Sequence, residues 1–406
     1  MASKNLTDLP EELLRGRRVL VRVDYNVPLE PSGEVGDTNR IEETLPTLRL
    51  LMERGARIVL LAHLGRPDGA PDPRYSLQPV ARALSRLLDH PVGFSPDTVG
   101  EGAEAAVAGL DNGHILLLEN TRFLPGETRN DPELARRLGE LGDHFVNDAF
   151  GAAHRAHAST EGVARIIREK GGEAVAGLLM ERELRFLGMV LENPERPFVA
   201  ILGGAKISGK IDVIEAILPR VDRLLIGGAM ANTFFRAMGL DTGKSLVEED
   251  RVDMARDLLE RGGDRILLPV DTVVAAEIAA DARTASRGRD AVGAADRVGD
   301  IGPESVALFT QEIAGARTIL WNGPMGVFEM EPFAQGTMAV ARAVADAADG
   351  GATVVVGGGD SAAAADEAGV VDRLTHVSTG GGASLEFLAG EELPGVAALT
   401  PRETTP

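Results

Sequence analysis

Cysteine is absent from the 406 residues, which excludes disulfides, thiolate metal sites and cysteine nucleophiles. Positive charge is in the minority: 42 Lys and Arg face 62 Asp and Glu, a formal net charge of -20. A chain so acidic is repelled by a nucleic-acid duplex or an anionic bilayer, so neither is an expected partner. No apolar run approaches the ~20 residues that a membrane helix needs; the stretches at 58–62 and 115–118 are typical in length. The N-terminus lacks a positive start followed by an apolar core, so a cytoplasmic location is expected. Lysine is nearly missing as well. Only Lys4, Lys170, Lys206, Lys210 and Lys244 occur, and two of the five lie within five residues of each other. That pairing invites a local explanation.

What is present is an ordinary globular composition, 44% hydrophobic and 26% charged, in a chain long enough for two or three domains. Short runs rich in Val, Ile and Leu recur at 19–23, 58–62, 115–118 and 145–146, then at 198–202, 224–226, 266–270, 318–321, 353–356 and 376–377. Continuous rather than alternating apolar runs suit strands buried on both faces of a parallel sheet. Helix-length amphipathic stretches such as 250–261 and 332–348 lie between them. The alternation predicts an α/β fold of two doubly wound parallel-sheet, Rossmann-like domains. A single barrel would need one uninterrupted set of about eight units, and here the pattern breaks near 173–197. Leu179, Met180, Glu183, Leu184, Leu187 and Val190 read as one helix, stopped by Asn193-Pro194-Glu195-Arg196-Pro197. The expected organisation is therefore an N-terminal domain over 1–178, an interdomain helix and hinge over 179–197, a C-terminal domain over 198–390, and a tail over 391–406, whose polar, proline-flanked part 399–406 is mobile or draped on the surface.

In open α/β sheets ligands bind beyond the carboxyl ends of the strands. In the first half those positions read Arg22-Val23-Asp24-Tyr25-Asn26, His63-Leu64-Gly65-Arg66, Glu119-Asn120-Thr121-Arg122 and Asn147 through His154-Arg155-Ala156-His157. Any one of these arginines could simply pair with a surface carboxylate. Together they suggest a bound small polyanion, because the guanidinium fork matches carboxylate and phosphate oxygens. His63, His154 and His157 lack a carboxylate at ligand spacing, which favours packing or substrate hydrogen bonds over a metal.

In the second half the post-strand segments are glycine clusters: Gly203-Gly204 running on to Lys206 and Lys210, Gly227-Gly228, Gly357-Gly358-Gly359-Asp360-Ser361, and Gly380-Gly381-Gly382. Each alone could be a tight strand-to-helix turn. Four on one lobe point to a nucleotide's phosphates against helix N-termini. Gly204 to Ile211 falls one residue short of a P-loop, because Ile211 replaces the hydroxyl that would meet Mg²⁺. Gly357 to Ala362 resembles a dinucleotide fingerprint but lacks an acidic residue at the end of the next strand. Asp360 can hold Mg²⁺ or cap a helix. The segment from Trp321 and Asn322 to Glu329 is either a base and ribose contact or a rigid loop.

These motifs together resemble the phosphoglycerate kinase family almost end to end. RVDYNVP, LAHLGRP, LLENTRF, NDAFGAAHRAHAS, GGAKISGK, LIGGAMANTF, WNGPMGVFE, GGGDSAA and STGGGASLEFL occur in the family's order. The resemblance implies reversible transfer of a phosphoryl group from 1,3-bisphosphoglycerate to ADP, giving 3-phosphoglycerate and ATP, with Mg²⁺. It implies that Asp24 and Asn26 hold the glycerate part and that Arg40 lies at the substrate carboxyl and the moving phosphoryl group. His63, Arg66, Arg122 and Arg155 would bind the distal phosphate. Lys206 and Lys210 would touch the transferred and nucleotide phosphates, and Asn322 and Glu329 would lie near base and ribose. The Gly357, Gly358, Gly359, Asp360 and Ser361 loop would meet the nucleotide, Asp360 coordinating Mg²⁺. Gly380 and Gly381 would aim N–H groups at the transfer point. The family's chemistry needs charge stabilisation rather than a side-chain nucleophile, and domain closure about the 193–197 hinge. Small molecules are the expected partners, and a monomer is expected. Val298-Gly299-Asp300-Ile301-Gly302-Pro303 departs from the family pattern, so no nucleotide contact is carried to Val298.

Overall fold

The computed structural model describes residues 3–402. The chain divides into two compact units, Met1–Leu184 with Glu392–Pro406, and Arg185–Glu391. The change of unit falls inside the helix Leu178–Glu192.

The first unit is built on six parallel strands: β1 (Arg18–Val23), β2 (Arg57–Leu61), β3 (Val92–Ser95), β4 (Ile115–Leu118), β5 (His144–Asp148) and β6 (Ala174–Ala176), in the order β3-β4-β2-β1-β5-β6. Their apolar runs are buried as the continuous pattern requires. Val19, Val21, Ile58, Leu60, Ile115, Leu117 and Val146 have no more than 1% of their surface exposed and pack with Leu48, Leu51, Val80 and Leu84 from helices on one face. β1 is flanked by β2 on one side and β5 on the other. The chain thus leaves β1 in one direction and later returns on its other side, which makes the β1/β5 edge the topological switch point.

The second unit repeats this plan. Its main sheet holds β7 (Phe198–Leu202), β8 (Arg223–Ile226), β9 (Ile266–Leu267), β13 (Thr318–Asn322), β14 (Thr353–Val356) and β15 (His376–Val377), ordered β15-β14-β13-β7-β8-β9 and all parallel. Its switch point lies between β7 and β13. A three-stranded antiparallel sheet of β10 (Asp271–Ala275), β11 (Ala285–Gly288) and β12 (Arg297–Ile301) interrupts the alternation.

The C-terminal segment is pinned rather than loose as far as Arg402. Lys4 N donates to Thr400 O (2.8 Å) and Thr400 N to Ala174 O (2.7 Å). Asn147 Nδ2, at the end of β5, donates to Gly395 O (2.9 Å). Leu393, Ala398 and Leu399 are buried, so of the two expectations for 399–406, mobile or draped on the surface, the described part as far as Arg402 takes the second. Residues 403–406 lie outside the described residues. No described helix is long and apolar enough to cross a membrane.

Candidate functional site

In the first unit the loops after β1, β2, β4 and β5 converge beyond the switch point. Arg22, paired in register with Asn147 of β5, is a charged residue inside a buried strand, 1% exposed. Its Nε donates to Ser159 Oγ (3.0 Å), one terminal nitrogen to His63 Nδ1 (2.9 Å), and the other to Val23 O. Burial lowers its pKa, and the carboxylates of Glu127 and Asp24 oppose that. Asp24 accepts from Arg40 at 2.6 Å, so these two expected substrate residues hold each other.

The loop after β2 turns at Gly65, which has φ +62°. A Cβ there would stand 2.3 Å from the Tyr75 ring, so only glycine fits. Gly65 N donates to Asn26 Oδ1 (2.8 Å), and Arg122 donates to Gly65 O (2.8 Å). Asn120, fully buried after β4, donates to Leu64 O (2.8 Å) and Tyr75 O (2.9 Å), which fixes the turn carrying Arg66. A cavity of about 500 Å³ opens beside this network, lined by Arg66, Arg122, Arg129 and Arg155 among others. Burial and then neighbouring Arg22 lower the pKa of Arg122. Burial followed by Arg122 and Arg22 pushes His157 down to about 4. Burial and then Arg22 hold His63 well below the ordinary imidazole value. Both imidazoles are therefore neutral near pH 7, and the positive charge of this crevice belongs to its arginines.

In the second unit the glycine clusters divide into two kinds. A Cβ on Gly203 would stand 2.0 Å from Pro324 O, and one on Gly228 would stand 2.4 Å from Gly204 N. These glycines let the loops after β7, β8 and β13 interlock through backbone bonds: Gly204 N to Pro324 O (2.9 Å), Gly228 N to Met325 O (2.9 Å) and Met230 N to Gly204 O (3.0 Å). Gly203 and Gly228 are thus required for close backbone packing. Gly359 and Gly381, by contrast, have open space where a Cβ would be. Gly358, at φ +89°, starts the helix Gly359–Glu367, and Asp360 lies in its first turn rather than at its cap. Ser361 Oγ accepts from Gly323 N (2.5 Å), tying this helix to the loop after β13. Gly381, at φ +53°, starts the helix Gly382–Leu388, and Gly380 N donates to Ser378 Oγ (3.1 Å).

Lys210 reaches across the β7/β13 switch point to the side-chain oxygen of Asn322, and lies 3.3 Å from that residue's main-chain oxygen. Burial lowers its pKa to about 8, with nearby Asp360 opposing the change. Asn322 is 1% exposed, and its Nδ2 has no partner while lying 3.2 Å from where Cβ atoms on Gly357 and Gly358 would be. It supports Lys210 from below and does not line the adjoining cavity. That cavity, about 220 Å³, is lined by Ala231, Phe235, Val298, Val327, Glu329 and Asp360 among others. Lys206 is exposed and within electrostatic reach of Glu248.

The sequence pattern therefore locates both crevices but misses their buried support. Glu127, 1% exposed, accepts from Ser159 N (3.0 Å) and Ser159 Oγ (2.5 Å). The usable signal was Arg22 itself, because a charge inside an apolar strand run demands a buried partner. No group of three or more His, Asp and Glu able to cage a metal exists among the described residues. A Mg²⁺ that keeps its waters and binds through one carboxylate plus phosphates needs no such cage, so Asp360 fits an ion delivered with a nucleotide.

The family model for phosphoglycerate kinase matches residues 7–391. The phosphoglycerate kinase of Chlorobium limicola is 53% identical, over 98% of this chain and all of that protein. That of Chloroflexus aurantiacus is 56% identical, over 96% of this chain and 97% of its own length. Among solved structures, phosphoglycerate kinase from Coxiella burnetii superposes with a TM-score of 0.88 at 42% identity, covering 98% of both chains. The Pyrococcus horikoshii enzyme gives 0.83 at 35% identity with the same coverage.

Proposed function

Because the chain belongs to the phosphoglycerate kinase family, we propose how its own residues carry out the family's reaction, reversible phosphoryl transfer between 1,3-bisphosphoglycerate and ADP with Mg²⁺. The observation that carries the reading is the arginine-lined cavity of the first unit. Arg66, Arg122 and Arg155 bind the distal phosphate of 3-phosphoglycerate through charge-assisted forks, and neutral His63 adds a hydrogen bond. Asn26 and Asp24 hold the glycerate part. Arg40, now paired with Asp24, turns to the substrate carboxyl group when ligand arrives.

The second unit takes ADP or ATP. The small apolar cavity with Phe235, Val298 and Val327 accepts the base, with Glu329 at the ribose. Lys210, held by Asn322, and the open N-terminus of the helix Gly359–Glu367 receive the phosphate chain. Asp360 holds Mg²⁺, which neutralises phosphate charge when bound. In-line transfer spreads negative charge over three phosphoryl oxygens. Arg40, Lys206 and the N–H groups at Gly380 and Gly381 stabilise that charge, and no nucleophilic side chain is required. The same reading takes the enzyme as a cytoplasmic monomer, and its net charge of -20 supports the exclusion of nucleic acid.

A coupled assay following ATP formation from 1,3-bisphosphoglycerate and ADP tests this. Turnover that disappears on removal of Mg²⁺ is expected. Absence of turnover across a range of salt concentrations contradicts it.

A further inference from the structure

Four buried side chains in the first unit form one line of hydrogen bonds that the phosphate-binding role alone does not require. The carboxylate of Glu127 accepts the hydroxyl proton of Ser159 at 2.5 Å and its backbone N–H at 3.0 Å. Ser159 Oγ then has only lone pairs to offer, and it accepts from Arg22 Nε at 3.0 Å. Arg22 passes the order on to His63 Nδ1 at 2.9 Å. A guanidinium has five donors and no acceptor. His63 Nδ1 must therefore be the unprotonated nitrogen, and the ring's single proton sits on Nε2. The carboxylate orients the Ser159 hydroxyl and so seats Arg22 Nε, while the guanidinium, a donor on every nitrogen, sets the direction at His63.

The same carboxylate is the opposing charge for two cations. Glu127 raises the pKa of both Arg22 and Arg122 against the burial that lowers them. All four groups in the line are 6% exposed or less, so an unopposed cation there would be costly. The line also ties four separate segments, the fourth being the loop after β2 that carries His63. Glu127 begins the short 3-10 turn Glu127–Arg129, Ser159 lies in the turn Ala158–Gly162, and Arg22 comes from β1.

We propose that Glu127, acting through Ser159, is a positioning residue for the phosphoglycerate site: it holds Arg22 where its guanidinium keeps His63 a neutral imidazole with Nε2 as its donor, and it supplies a buried counter-charge to Arg22 and Arg122. Glu127 itself touches no substrate. The proposal rests on the reading of this crevice as the 3-phosphoglycerate site.

The test combines imidazole ¹⁵N–¹H correlation spectra of the ligand-free protein with steady-state kinetics, using Ser159→Ala and Glu127→Gln, and His63→Asn to identify the His63 signals. In the unmutated protein His63 is expected to show an unprotonated Nδ1 and a protonated Nε2. In Ser159→Ala, which keeps the backbone bond to Glu127, that tautomer is expected to become mixed. The KM for 3-phosphoglycerate should rise about tenfold with kcat within about threefold, the size of one charge-assisted hydrogen bond, and the KM for ADP should not move. Glu127→Gln should act in the same direction; if it does not fold, Ser159→Ala decides. A proton on Nδ1 in the unmutated protein overturns the proposal, as does a Ser159→Ala enzyme with unchanged tautomer and KM. Because the tautomer is read without ligand, failure of 3-phosphoglycerate to bind at all would count against the site assignment separately.

Discussion

Lys210 offers a quantitative handle on the nucleotide site. Its ammonium is buried beside Asn322, with Asp360 as the one acidic group acting on it, and its pKa falls from 10.5 to about 8. At pH 8 the free protein therefore holds about half a proton on this group. A nucleotide diphosphate placed against it supplies negative charge, which favours the ammonium and drives its pKa back up. Binding of ADP at pH 8 should thus take up about 0.5 proton per site, falling toward zero at pH 6.5 where Lys210 is already charged. Calorimetric titration with ADP in two buffers of different ionisation enthalpy reads this number directly. Lys210→Met should bind ADP more weakly and take up no proton at pH 8. An uptake that survives in Lys210→Met, or none in the unmutated protein at pH 8, would refute the reasoning. It would mean that the phosphates do not approach this lysine or that its proton is not loosened by burial.

Other outcomes follow from the same geometry. Lys206→Ala should lower kcat by roughly 10²–10³ with a modest change in ADP affinity, because its contact strengthens as charge develops; single-turnover kinetics with an unchanged rate would remove that role. Arg66→Ala should raise the KM for 3-phosphoglycerate about tenfold or more by loss of a charge-assisted phosphate contact, and an unaltered KM would take Arg66 out of the site. Asp148, fully buried, accepts from Leu179 N (2.9 Å) and Met180 N (3.1 Å) at the start of the helix Leu178–Glu192, and burial raises its pKa from 3.8 to about 6. The folded state thus holds a proton there that the unfolded chain releases near pH 4, so the stability it contributes is present below pH 4 and lost as pH rises through 6. Asp148→Asn should flatten that loss, gaining about 2–3 kcal/mol over the unmutated protein at pH 7.5 relative to pH 4; urea denaturation giving parallel pH profiles would contradict it.

How much of this was legible in the sequence depended on what each segment buries. β4, β7 and β14 coincide with their apolar runs because both faces of an interior parallel strand need Val, Ile and Leu. β3 and β6 escaped notice: one contains Gly93 and is half-exposed, and the other is three residues of Ala and Val. In the antiparallel sheet β11 left no apolar signal, since it reads Ala-Ser-Arg-Gly and is largely exposed. At the candidate site, post-strand position pointed to Arg66 and Arg122, which line one cavity, to Asp360, which lines the other, and to Lys210, which meets Asn322. It could not separate glycines that interlock backbones, such as Gly203 and Gly228, from those facing open space, such as Gly359, because a Cβ clash is a property of two loops at once. Nor could it distinguish Asn322, which holds Lys210 from beneath, from Glu329, which lines the cavity. Glu127 stood outside every motif considered and Ser159 only closed one, with no role given to it, although the embedded charge of Arg22 called for both.

The central claim is that the arginine crevice and the glycine-rich crevice each take their own phosphorylated ligand. Backbone amide spectra recorded with 3-phosphoglycerate alone and with ADP and Mg²⁺ alone test it most directly. The first ligand should move amides around Asn26, Gly65, Arg122 and Arg155, and the second those around Lys210, Ser361 and Gly381, each leaving the other set in place. Both ligands shifting the same set, or 3-phosphoglycerate shifting only the second unit, would contradict the account.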